Sequence, residues 1–144
     1  MAGSKKTFEF LPHTADVKFL AYGKTLEEAF ENAALATFAT LTDIQKVKAK
    51  KKKKVSVKAK SKETLLYDFI QELLFLVDTE GFLLSKMESL TIKETAKGLF
   101  LIAVFLGDSG DQYEIITQIK SSTYNDMFIK EEKTCVTIQM VLDI

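Results

Sequence analysis

The chain has 144 residues, the size of one ordinary domain, and 47% are hydrophobic and 28% charged, enough apolar mass for a core. The formal net charge is zero and every basic residue is a lysine. Global charge therefore gives no reason to expect a nucleic-acid binder, and no arginine fork is present to grip phosphate. A single cysteine, Cys135, excludes an internal disulfide and a cysteine-rich zinc site, and a single histidine, His13, argues against a histidine-based metal site. No apolar run of about 18 or more residues marks a membrane span, and residues 1–6 lack a following signal core, so a cytoplasmic protein is expected.

In chain order, Thr7–Leu11 alternates Phe8 and Phe10 with polar neighbours, as a half-buried strand does. Pro12-His13-Thr14-Ala15 then makes a turn. Val17–Gly23 is a second strand with Val17, Phe19 and Ala21 on one side. Thr25 with Glu28 has capping-box spacing and opens a helix that ends near Thr40. Leu26, Ala29, Phe30, Ala33, Phe38 and Leu41 form its apolar stripe, and Glu27, Glu28 and Glu31 sit early, where the helix dipole favours negative charge.

Lys46–Lys62 carries a dense lysine run, read as an exposed loop at its centre that leads into a strand over Val55–Lys60. Ser61 caps a second helix, Lys62–Glu80, closed by Gly81. Its buried face is Leu65, Leu66, Phe69, Ile70, Leu73, Leu74 and Val77. Leu83–Thr95 and Gly98–Leu106 are expected to pair as a hairpin, with Gly107–Gln112 as a polar loop. Tyr113–Lys120 and Asn125–Glu131 are further strand candidates, and Cys135–Leu142 alternates cleanly. No repeat or linker divides residues 1–144, which read as one domain with residues 1–6 flexible. Strands, two amphipathic helices and a run of strands predict an α+β two-layer sandwich of mostly antiparallel or mixed sheet.

Four segments can carry chemistry. Asp16, after His13, Thr14 and Ala15, offers a carboxylate at a strand start, although such an aspartate commonly just bonds nearby turn amides. The last residues, Leu142-Asp143-Ile144, put a carboxylate on the polar parity of the final strand beside the terminal one. Such groups suit a hard cation such as calcium, which takes about six to eight oxygens; an ordinary solvated end is the plainer reading. Lys120, among the hydroxyls of Ser121, Ser122, Thr123 and Tyr124, can meet a phosphate or carboxylate, or simply line a solvated strand edge. The Lys46–Lys62 run can draw RNA or an acidic surface, but no aromatic residue interleaves it, which favours a solvated charged loop. No phosphate-binding glycine loop, Ser-His-Asp order or zinc motif is present.

Several segments together resemble the archease family. They are Phe8-Glu9-Phe10-Leu11-Pro12-His13-Thr14-Ala15-Asp16-Val17, Ala21 through Phe30, Leu65-Leu66-Tyr67-Asp68-Phe69 through Phe75, Lys120 with Thr123-Tyr124, and Leu142-Asp143-Ile144. They fall in the family's order over nearly the whole chain. The resemblance implies a non-enzymatic, chaperone-like protein cofactor for the GTP-dependent tRNA-splicing RNA ligase, promoting its guanylylation and repeated turnover and broadening its nucleotide use. It implies a divalent cation, calcium by the chemistry of its ligands, held by Asp16, Asp143 and Ile144. It also implies that Lys120, His13 and Tyr124 serve partner contact or activation, with indirect contact to tRNA. Two positions depart from the family pattern: Gln118 stands where an acid is usual, and Ser121-Ser122 where Ala-Ile is common. Physically, this reading expects the strand after Asp16 to lie beside the final strand, bringing Asp16 next to Asp143. The competing expectations are an RNA-binding module acting through Lys46–Lys62 and a metal-dependent hydrolase using Asp16 and Asp143.

Overall fold

The computed structural model describes residues 7–144, so the expectation for residues 1–6 lies outside the described residues. Both helices form where their caps predict. In α1 (Leu26–Leu41) the Glu28 N–H donates to Thr25 Oγ1 at 3.1 Å, while Glu28 Oε1 accepts from the Lys24 N–H at 2.9 Å. In α2 (Lys62–Glu80) the Thr64 N–H donates to Ser61 Oγ at 3.1 Å, and Gly81 ends the helix at φ 63°, a left-handed conformation that glycine adopts without strain.

All strand pairings are antiparallel and they divide between two sheets. The first holds β1 (Phe8–Leu11), β2 (Val17–Gly23), β6 (Ser121–Ser122), β7 (Phe128–Glu131) and β8 (Val136–Asp143). Here β8 is the shared strand: β2 runs along one edge, and β6 and β7 share the other. The second sheet has the order β3-β5-β4, from β3 (Lys51–Ala59), β4 (Phe82–Thr95) and β5 (Gly98–Ser109). Helix α1 packs on β1, β2, β8 and β4, and α2 on β3, β5 and β6, so each helix touches both sheets in this α+β fold.

One core joins the layers. Phe30 of α1 and Phe69 of α2 stack with ring centroids 6.1 Å apart, and both are fully buried. Phe19, Ala21, Ile138, Met140 and Leu142 bury the inner face of the β2–β8 pair, and Leu101, Ala103 and Phe105 that of β5. Each large apolar side chain so covered contributes about 1.5–3 kcal/mol.

Four expectations need correction. The lysine run is not a loop at its centre, because Lys51–Lys54 belong to β3 and pair with Gly107, Leu106, Phe105 and Val104. An edge strand needs backbone partners on one side only and tolerates lysines, so apolar alternation does not announce it. Gly107–Ser109 continue β5 rather than forming a loop, and only Gly110–Gln112 leave it, as a short 3-10 turn. Tyr113–Lys120 is not a strand. Its backbone is engaged at the end of α1 instead, with the Ile116 N–H donating to the Leu41 carbonyl at 2.7 Å and Thr42 Oγ1 donating to the Glu114 carbonyl at 2.7 Å. The strand expected over Asn125–Glu131 begins at Phe128, and the two-residue β6 has no sequence signal.

Tyr113 anchors this irregular segment. Its hydroxyl donates to Asp108 Oδ2 at 2.7 Å and accepts from the Lys48 N–H at 3.1 Å. The Tyr113 bond, helped by the Ser109 N–H and the Lys50 and Lys51 charges and opposed by burial, holds the Asp108 carboxyl below its ordinary value. A depressed folded value stabilises the fold above the unfolded carboxyl's value, near ~3.9, and the contribution is lost as pH falls through the lower folded value. Tyr113→Phe should therefore move the acid-unfolding midpoint to higher pH, measured by circular dichroism across pH 2–6; an unmoved midpoint would assign Asp108 no such role.

Candidate functional site

The site is built by the β2–β8 ladder. Val17 pairs with Leu142, Phe19 with Met140 and Ala21 with Ile138, and these residues face the core. Residues directly opposite in an antiparallel pair share a face, and side chains alternate along each strand. Asp16 immediately precedes Val17 and Asp143 immediately follows Leu142, so the two lie at the same end of the ladder, and both are half-buried. Asp16 enters β2 from Ala15, which has φ 72°, a left-handed conformation uncommon for a residue with a Cβ. His13 and Thr14 lie exposed in the same turn.

The other edge of β8 brings in the third segment. The Lys120 N–H donates to the Asp143 carbonyl at 2.7 Å, and Ser121 and Ser122 pair with Asp143 and Leu142. Lys120 itself is exposed. Thr123 Oγ1 donates to the Val141 carbonyl at 2.8 Å, tying the following residues to the same strand. Tyr124, 52% exposed, stacks on Tyr67 of α2 with centroids 4.3 Å apart and planes 5° from parallel. Ile144 is half-buried and packs against the core.

Thus the register gathers Asp16, Asp143, Ile144 and Lys120 at one end of β8, with Tyr124 four residues beyond Lys120 and held to α2. His13 lies in the adjoining turn, with no contact to the group among the described interactions. Among the described residues, no group of three His, Cys, Asp or Glu side chains is placed to hold a metal ion. Side chains at this end therefore contribute two carboxylates, and further oxygens must come from the main chain or water. Such a donor set is all-oxygen and anionic, which fits a hard divalent cation and not a soft one.

Sequence reading missed what braces the Lys120 segment. Ser122 is 1% exposed; its N–H donates to Gln71 Oε1 at 2.7 Å and its hydroxyl lies 3.2 Å from the Tyr67 carbonyl. Tyr67 and Gln71 are one helical turn apart on α2, a spacing that marks neighbours on one face. The hydroxyl at Ser122, where the family pattern is commonly apolar, thus has polar partners supplied by α2. A cavity of about 620 Å³ also went unforeseen; it is lined by Tyr22, Gly23, Glu28, Glu31, Asn32 and Cys135, toward the Gly23 end of β2 and away from the Asp16 end. There the Tyr22 hydroxyl donates to Glu9, and burial together with that carboxylate pushes its pKa up to about 12. Burial, with the nearby Glu28 charge, likewise raises the Glu31 carboxyl.

Comparison with known proteins covers the whole of this arrangement. The model of the archease protein family matches residues 8–144. The chain is 39% identical to an archease of Aeropyrum pernix over 92% of this chain and 93% of that protein. It is 36% identical to an archease of Methanosarcina mazei over the full length of both. The solution structure of Methanobacterium thermoautotrophicum protein 1598 superposes with a TM-score of 0.82 at 36% identity, covering 96% of this chain and 99% of that one. A crystal structure from Thermotoga maritima, described as an archease and "possible chaperone", is 17% identical with a TM-score of 0.56 over the full length of both chains and shares the fold.

Gln71→Leu removes the acceptor of a buried N–H and should cost about 1–3 kcal/mol, read as a lower urea midpoint with unchanged slope. An unchanged midpoint would show that Gln71 does not carry the Ser122 segment.

Proposed function

We propose, from the premise that the chain belongs to the archease family, that it is a protein cofactor which activates a GTP-dependent tRNA-splicing RNA ligase, promoting guanylylation and repeated turnover and broadening nucleotide use. No helix among the described residues is long and apolar enough to cross a membrane; a cytoplasmic location is part of the same proposal. The observation that supports the reading most directly is the register of β2 with β8, in which Val17 lies opposite Leu142, so that Asp16 and Asp143 flank the same end of the ladder.

In this reading Asp16, Asp143 and the main-chain oxygens of Ile144 hold a divalent cation of the calcium type. Two neighbouring carboxylates repel, and a cation held between them would offset that repulsion and fix the acidic tip. The protein's own residues do the rest. Lys120, tethered through its backbone to Asp143 and exposed, carries a positive charge able to meet a phosphate or a carboxylate of the ligase–nucleotide centre. Tyr124, laid flat on Tyr67, and exposed His13 offer contact surface around it. The tip acts by docking and positioning, and the ligase retains the chemistry. A hydrolase built on the same two acids would instead need a general base and a nucleophile, and the described residues place no third His, Cys, Asp or Glu to complete a metal-holding group there.

Multiple-turnover RNA ligation with the cognate ligase tests this. The parent chain should raise product well beyond one equivalent per ligase, and Asp16→Ala should return the yield to about one turnover while keeping the parent's circular dichroism spectrum. Calcium titration by calorimetry should show a site lost in Asp16→Ala and in Asp143→Ala. Full turnover with Asp16→Ala would overturn the reading, and so would RNA hydrolysis by the chain alone.

A further inference from the structure

The outer face of the β3-β5-β4 sheet is unlike an ordinary solvated sheet face. Antiparallel sheets with one side in water usually alternate apolar inward with polar outward. In β5 the inward residues Leu99, Leu101, Ala103 and Phe105 are buried, but the outward ones, Phe100, Ile102, Val104 and Leu106, are apolar too. None of these four packs against the core. Since β5 is the central strand, each has a neighbour on both sides. Phe100 lies between Lys58 and Lys93, Val104 between Lys54 and Ser89, and Leu106 between Lys52 and Lys86. Ile102 lies between Ser56 and Thr91, and it alone of the four reaches 45% exposure because those side chains are too short to cover it.

The result is an apolar column flanked on one side by Lys52, Lys54 and Lys58 and on the other by Lys86 and Lys93, with Ser56, Ser89 and Thr91 among them. Neighbouring strands are about 4.8 Å apart, so the two flanks run roughly 10 Å apart with the Phe100 ring between them. Most of this charge is uncompensated. Lys52 pairs with Glu88 at 3.2 Å, whereas Lys54, Lys58, Lys86 and Lys93 are exposed and make no ion pair among the described residues. The lysine run in the sequence contains no aromatic residue; the fold supplies one across the strand, with Phe100 opposite Lys58.

We infer that this face is a platform for single-stranded nucleic acid, with phosphates on Lys54, Lys58, Lys86 and Lys93 and a base laid against Phe100 and Ile102. Charge complementarity alone would also admit an acidic polypeptide or an anionic bilayer. An acidic polypeptide does not carry a flat ring on every unit beside each charge, as a nucleic-acid strand does, to set against Phe100. A bilayer would need apolar groups standing above the lysines, whereas Phe100 and Leu106 are half-buried between lysine stems and Val104 is half-buried beside Lys54. Sheet faces that pair aromatic stacking with cationic flanks suit unpaired bases and a phosphate row, with little sequence preference. The inference is independent of the acidic tip and of any ligase.

Fluorescence anisotropy of a labelled oligouridylate with the full chain, across a salt series, tests it. Binding should weaken log-linearly with salt, and Lys58→Gln with Lys93→Gln should lower the slope by about 0.7 per contact removed. Phe100→Leu should weaken binding about tenfold and leave the slope unchanged. Asp16→Ala should bind as the parent does, which separates this outcome from failure of the ligase reading. The inference is overturned by absence of binding at low salt, or by Lys58→Gln with Lys93→Gln binding no worse than a Lys130→Gln control. It is also overturned if polyglutamate of equal charge displaces the oligonucleotide as well as unlabelled oligonucleotide does, or if the chain prefers phosphatidylserine vesicles.

Discussion

The antiparallel ladder between β2 and β8 is the constraint on which the remaining structure rests, because it joins residues 17–23 to residues 136–142. Closing so long a loop costs only slightly more than closing a short one, since the entropic penalty grows with the logarithm of length. Burial of Phe19, Ala21, Ile138, Met140 and Leu142 offsets that penalty. A slip of one residue would turn the whole apolar set outward. The demand that Leu142 be inside therefore dictates that Asp143 be on the other side, at the end of the ladder that Asp16 also flanks. The acidic tip is a consequence of core packing rather than a separate arrangement.

With β2 on one edge of β8, the opposite edge is left for β6 and β7. Lys120 and Ser121 arrive beside Asp143 through backbone bonds, which hold position better than a free loop would. Helix α2 stabilises this edge with the Ser122–Gln71 hydrogen bond and with the stack of Tyr67 on Tyr124. Those bonds leave no buried side-chain polar atom unsatisfied among the described residues, as a tightly packed segment requires.

The second sheet divides its faces differently. Its inner face joins the common core, while its outer face keeps an apolar column between lysines. A chain of zero net charge thus carries an acidic tip on one sheet and a basic surface on the other. Net charge reports the sum and hides the segregation, which matters because screening confines each charged group's influence to within about a nanometre.

Local chemistry in the sequence was sufficient for much of this. Thr25 with Glu28, Ser61 and Gly81 set the helix ends by short-range hydrogen bonding and backbone freedom, and alternation located β1, β2, β8 and the β4–β5 hairpin. The family resemblance singled out Asp16, Lys120, Asp143 and Ile144, which the strand register then gathers at one end of β8. Tertiary structure alone decided what depends on distant partners. Lys51–Lys54 become a strand because β5 offers them backbone partners, Tyr113–Lys120 stays irregular because the end of α1 takes its hydrogen bonds, and Phe100 joins the lysines only through cross-strand register. Caps and alternation act over a few residues and are written locally, whereas edge pairing and the meeting of the two sheet faces are settled only when the whole chain is packed.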